Sequence, residues 1–231
     1  AAVAEVFKES TELLDKFFSK GQSTEEALLS LSKHWLGSSF PIIFNGDNYS
    51  KDWVLEAEKR GLPNLRTTAE ALAILNDSKK TSFLRELKIL NEEELQMRYN
   101  AFLEKYITCR QIEFDSLTQI IGQHVMPCAL GYKKSLLETM RFSKKMEMSF
   151  EVEKSICDEL NSLLEELSAA NSKLEKVQDS FGHDEQSNAQ VIGTELVPLS
   201  EKIGEICNRL EGIIPAKDWS LPTYLDLLFV R

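Results

Sequence analysis

Asn45, Asp47 and Glu56 stand at positions 1, 3 and 12 of a calcium loop, where oxygen ligands at that spacing would wrap the ion. Position 6, however, is Ser50 rather than the glycine that makes the sharp turn, and position 5 is Tyr49. The stretch therefore reads as a turn that caps the next helix. His124 and Cys128 lie one helical turn apart, close enough to share a metal, but no second pair completes a tetrahedral set. Helix-end or core packing is the expected role for both. A Cys–His nucleophile pair would have to arise in space, since no such motif stands in the sequence. Glu92-Glu93-Glu94 and Glu165-Glu166 have the carboxylates that acid–base chemistry needs, yet the first cluster opens a helix, where negative charge is favoured anyway. Glycine-rich phosphate loops, G-x-S-x-G and H-E-x-x-H are all missing. No catalytic, cofactor-binding or metal residue is assigned, and no structural metal is expected.

The elements that would position such residues are helical. Gly (10) and Pro (6) are scarce, while Leu, Glu, Lys, Ser and Ala dominate, a composition that favours helix over sheet. At 231 residues, with 42% hydrophobic and 28% charged, the chain can bury a sizeable core. No apolar run approaches the ~18 residues of a spanning helix, and mean hydropathy is -0.25, so a soluble chain without a membrane partner is expected. A formal charge of -10 opposes phosphate backbones and argues against nucleic acid as a partner. Cys109, Cys128, Cys157 and Cys207 form no C-x-x-C pair, which fits reduced thiols in a cytoplasmic setting. The chain opens on Ala1 with apolar residues already in helical phase, so it reads as part of a longer protein.

A first helix should reach about Lys20 and break at Gly21. A second restarts at Ser23, where Ser23 and Glu26 have capping-box spacing. Phe40-Pro41-Ile42-Ile43-Phe44 reads as a lone edge strand, being β-branched and aromatic with a helix-breaking proline. Turn chemistry at Asn45-Gly46-Asp47-Asn48 precedes a helix from Ser50 to about Arg60, stopped by Gly61 and Pro63. Thr67 with Glu70, and Asn91 with Glu94, open two more helices, the second expected to run to about His124, before Pro127. Two seams follow, Ile156 to Val177 and Ile192 to Ile213, each apolar at steps of four and three. They flank a polar stretch around Asp184 and predict an antiparallel hairpin over 150–213. It is long enough to project from the body, with Pro198 as a kink in its second arm. The fold class is mainly α: a helical domain with a long antiparallel helical hairpin and at most one or two short edge strands.

Ile42 to Ser50, with Asn45, Gly46, Tyr49 and Ser50, continues through Trp53 and Glu56 to Gly61, Leu62, Asn64, Leu65, Thr67 and Thr68. Glu93-Glu94-Leu95, Arg98-Tyr99, Pro127, and the closing Trp219, Pro222, Tyr224 and Leu227-Leu228-Phe229 follow in order. This series closely resembles the C-terminal region of type III glutamine synthetases. The chain departs from it at Asn48, in place of Gly, and at Phe40-Pro41, in place of a basic pair. The resemblance implies a parent enzyme that joins ammonia to glutamate through a γ-glutamyl phosphate, using ATP and magnesium or manganese. It also implies a homo-oligomer of stacked hexameric rings. The family's catalytic residues lie upstream of anything matched here, so none is carried over. Residues 1–75 would be the tail end of a catalytic domain, and 76–231 a C-terminal helical domain that contributes structure and subunit assembly. The competing reading is a stand-alone helical protein-interaction module that presents the hairpin to a partner.

Overall fold

The computed structural model describes residues 1–228. The chain divides into two compact units, Ala1–Phe102 and Leu103–Arg231, and each is described by itself. The first unit holds α1 (Ala2–Ser19), α2 (Thr24–Ser39), α3 (Lys51–Lys59), α4 (Thr68–Ala73), α5 (Ser82–Glu86) and the start of α6 (Glu92–Ile120). α2, α3, α4 and α6 begin where the sequence supplies a side-chain oxygen acceptor. Ser23 and Thr67 accept the amides of Glu26 and Glu70, whose carboxylates reach back to the cap backbone. Asn91 and Glu94 exchange the same pair of bonds, each 2.8 Å. Gly21 at φ 81° and Gly61 at φ 73° end α1 and α3, because a left-handed residue is what closes a helix C-terminus.

Residues 40–44 are not a strand. Phe40–Ile42 forms a single 3-10 turn, with the amide of Ile43 donating to the Phe40 carbonyl at 3.1 Å. Pro41 has no N–H to give to a sheet, and its fixed φ suits the first turn of a helix. Among the described residues there is also no strand for an extended segment to pair with. Arg60 then fastens this stretch over α3, donating to the carbonyls of Pro41 (3.2 Å) and Ile43 (2.8 Å) and to Glu56 (2.8 Å). Phe44 lies against Trp53, ring centroids 4.6 Å apart.

In the second unit α6 does not stop before Pro127. Its last turn widens over Ile121–Val125, where the amide of Met126 donates to the carbonyl of Ile121, and the helix resumes as α7 (Met126–Lys145). The hairpin's second arm repeats the device: α9 (Glu185–Val191) widens over Ile192–Leu196 and continues as α10 (Val197–Ile213) past Pro198. A proline inside a helix lacks one donor and its ring strikes the carbonyl four residues back. One residue added to the preceding turn relieves that clash without ending the helix, so the proline is absorbed rather than left as a break.

The first arm, α8 (Glu151–Asp179), packs antiparallel to α10. Lys202 meets Glu166 at 2.7 Å and Arg209 meets Glu159 at 3.4 Å, two pairs symmetric about residue 184, where the polar connection was expected. Leu160, Leu163, Leu167, Ile203, Ile206 and Leu210 are all buried along this seam. The hairpin does not project alone, because α8 packs just as extensively on α7. Thr118 donates to Asn171 at 3.2 Å and Lys133 to Asn161, which lines α6 and α7 up along the other side of α8. The result is a three-layered, up-down-up helical arrangement. Burial of Leu164, which lies outside the strict four-three seam, is the consequence of that second neighbour. Beyond α10, a 3-10 turn at Ala216–Asp218 leads to the short α11 (Tyr224–Leu228). Phe229 lies outside the described residues.

Candidate functional site

The residues that carry the family resemblance hold helix ends and turns. Ser50 caps α3 by accepting the amide of Trp53, and Thr67 caps α4, of which Thr68 is the first residue. Gly61 and Leu62 close α3, with the amide of Leu62 on the carbonyl of Ala57 at 2.9 Å. Asn64 and Leu65 lie in the irregular link between them. A Cβ at Gly46 would stand 2.6 Å from the Phe44 ring, so the bend at Asn45 and Gly46 has room only for glycine unless that ring shifts. Tyr49 is fully exposed. Trp219 is buried, and its indole N–H has no partner among the described residues. Pro222 precedes α11, which Tyr224 opens.

The calcium-loop spacing does not gather its ligands. Asp47 spends one carboxylate oxygen on the amide of Tyr49 at 2.9 Å, the loop-capping bond expected of it, and Glu56 is taken by Arg60. Asn91 and Glu94 cap α6, while Glu166 pairs with Lys202, whose hydrogen bond holds the carboxyl below its ordinary 4.5. Glu92 pairs with Arg85 at 2.7 Å and Glu165 accepts from the Asn161 amide at 2.7 Å, so the candidate acids other than Glu93 have structural partners among the described residues.

His124 and Cys128 do come together, on a third residue. His124 Nδ1 lies 3.0 Å from Ser220 Oγ, and the Cys128 thiol donates to the same oxygen at 3.4 Å. They line a cavity of about 510 Å³ on one side of α7, with Gln123, Tyr132, Lys217 and Asp218 around it. An imidazole beside a serine hydroxyl is the start of a nucleophile–base pair, but the role needs a third group to orient the ring. No hydrogen bond to His124 Nε2 exists among the described residues. Ser220 instead ties the segment after Ala216–Asp218 to the wide turn and α7, which is a packing task. Sequence spacing brought out His124 and Cys128; Ser220, 92 residues on from Cys128, could be found only from the fold.

ATP and a divalent metal, the groups implied by the resemblance, do not fit what these residues offer. Among the described residues no three His, Cys, Asp or Glu side chains stand close enough to hold an ion. No helix start carries a glycine-rich loop to cradle a triphosphate. Nor is any described helix long and apolar enough to cross a membrane.

A profile of the glutamine synthetase C-terminal domain matches residues 27–144. A glutamine synthetase of Bacteroides fragilis (strain YCH46) is 30% identical over 239 residues, covering 100% of this chain and 33% of the relative. A type-3 glutamine synthetase of Dictyostelium discoideum is 30% identical over 220 residues, covering 92% of this chain and 30% of the relative. For a glutamine synthetase of Butyrivibrio fibrisolvens the figures are 26% over 214 residues, 90% and 30%. The chain thus spans about a third of the length of the relatives it matches. With a matched profile over half of its length and a 30% identical relative aligned along all of it, this chain belongs to the glutamine synthetase C-terminal domain family.

Proposed function

We propose that this chain acts as the C-terminal part of an ATP-dependent glutamate–ammonia ligase of nitrogen metabolism, supplying structure and subunit contacts while the chemistry is done elsewhere in the enzyme. The carrying observation is the match along the whole chain to only a third of a glutamine synthetase. Two features of the residues support the division of labour: the acidic candidates other than Glu93 are already engaged in caps, ion pairs or hydrogen bonds, and the most extensive packing centres on α8, the first arm of the hairpin. In the parent, ATP and magnesium or manganese would be bound by the remaining two thirds. The assembly would be a homo-oligomer of stacked hexameric rings in the cytoplasm.

The division of the chain into a catalytic-domain tail (1–75) and a helical C-terminal domain (76–231) belongs to the same reading. Its support is the run of short helices, α3 of 9 residues, α4 of 6 and α5 of 5, that lies between α1–α2 and the 29-residue α6. The matched stretch 27–144 runs across residue 75, so the two parts share one family.

Deleting 150–213 from the parent enzyme tests the role. The expected outcome is loss of ring assembly, read by mass photometry, while single subunits keep metal affinity. Rings that form unchanged without the hairpin would refute an assembly role, and a parent that makes no glutamine from glutamate, ammonia and ATP would refute the enzyme reading.

A further inference from the structure

In the first unit, α1 is an 18-residue amphipathic helix that buries none of its side chains. Only Ala27, Thr81, Leu95 and Tyr99 are buried among the described residues of that unit, whereas α8 alone buries seven. Meanwhile Val3 is 69% exposed and Phe7 68%, with Val6 beside them on the same face and Leu28, Leu29 and Leu36 exposed on α2. An apolar stripe of this kind is what a helix presents to a core, and folded chains rarely leave it open to water.

The groove between α1 and α2 has a volume of about 600 Å³ and is walled by Val3, Val6, Phe7, Leu14 and Leu31. Its two hydroxyls are already used. Ser10 donates to the Val6 carbonyl at 2.7 Å and accepts the Trp35 indole at 3.1 Å, and Thr11 donates to the Lys8 carbonyl at 2.7 Å. A nucleotide or sugar would find no free donor there, so the groove suits an apolar occupant.

We propose that this face seats the portion of glutamine synthetase that the relatives carry outside the matched third. The inference rests on the functional reading above. The family description places the matched region C-terminal, so the missing two thirds lead into α1, and attachment through the chain gives that occupant a high effective concentration at the groove. A second copy of this chain is the weaker occupant, because it is not tethered at the groove and has to be captured from solution.

The test is thiol labelling at Phe7→Cys and, separately, Val3→Cys, with Glu12→Cys on the opposite side of α1 as reference and position-specific readout by peptide mass. The 231-residue chain should label quickly at position 7 at every concentration. In the parent enzyme the same position should slow by at least about tenfold, including in subunits diluted out of the oligomer, while position 12 stays reactive. Fast labelling of both Phe7→Cys and Val3→Cys in a parent that makes glutamine would overturn the inference and leave the functional reading intact. Protection in the 231-residue chain that vanishes on dilution would assign the face to a second copy and overturn it. Protection in a parent that makes no glutamine would support the docking face and remove the functional reading.

Discussion

Leu163 and Glu166 sit one turn apart on α8 and separate the forces that hold the second unit. Leu163 is 1% exposed on a helix packed against α10, so Leu163→Ala should destabilise by about 2–5 kcal/mol in chemical denaturation. Glu166 has only a half-exposed ion pair with Lys202, and such pairs are screened by water, so Glu166→Ala should shift the same midpoint far less. Equal losses would mean that the seam is not what holds these helices together. The cysteines make a second residue-scale contrast. Burial pushes the Cys207 thiol from its ordinary 9.0 up to about 11, while Cys109 is exposed. Alkylation at pH 8 should therefore modify Cys109 well before Cys207. The sign of the linkage follows: between about 9 and 11 the unfolded chain has lost the Cys207 proton and the folded one keeps it. That group's contribution is whole below 9 and is lost as pH rises through about 11. A Cys207→Ser variant should show a flatter stability profile over that window.

At the scale of elements, the capping boxes give a prediction with the opposite sign. Backbone amides of Ser23 and Thr67 hold the Glu26 and Glu70 carboxyls below their ordinary 4.5. Their stabilisation is present above 4.5 and is lost as pH falls through the lowered folded values. Amide shifts of Ser23 and Thr67 should titrate with midpoints below 4.5, and midpoints at or above it would contradict the boxes. These boxes were legible because a Ser or Thr three residues ahead of Glu states its own hydrogen bonds. So was the hairpin, since matched four-three seams about a polar centre fix both partners and register. Pairing Glu166→Cys with Lys202→Cys should give an intramolecular disulfide on oxidation. What escaped was the handling of proline. Pro127 and Pro198 each follow Ile-Gly by the same spacing, Ile121-Gly122 and Ile192-Gly193, and each sits just past a widened turn. Local rules see a helix breaker there, whereas burial of Ile121, Val125, Ile192 and Leu196 keeps the helices going. At Phe40–Ile42 β-propensity failed for lack of a neighbouring strand, a property of the fold and not of the segment.

For the whole molecule, the two units differ in how much core each buries. Leu103 onward has a core of its own, with Phe114, Leu160, Leu174 and Leu196 wholly or almost wholly buried. The first unit has little core and a broad apolar face, as a piece of a larger domain would. Clusters of His124, Cys128 and Ser220 become visible only when the chain folds, and their arrangement serves attachment of the C-terminal segment. The chain by itself should accordingly bind no ATP at micromolar concentration in calorimetry and form no glutamine. The most direct test of the account is the mass of the polypeptide that carries this sequence in its source cells, read by immunoblot against the hairpin. Since 231 residues cover 33% of a relative, the account predicts a band roughly three times the 26.3 kDa of this chain, in a fraction that makes glutamine. A single band near 26.3 kDa, apart from any glutamine-forming fraction, would contradict it.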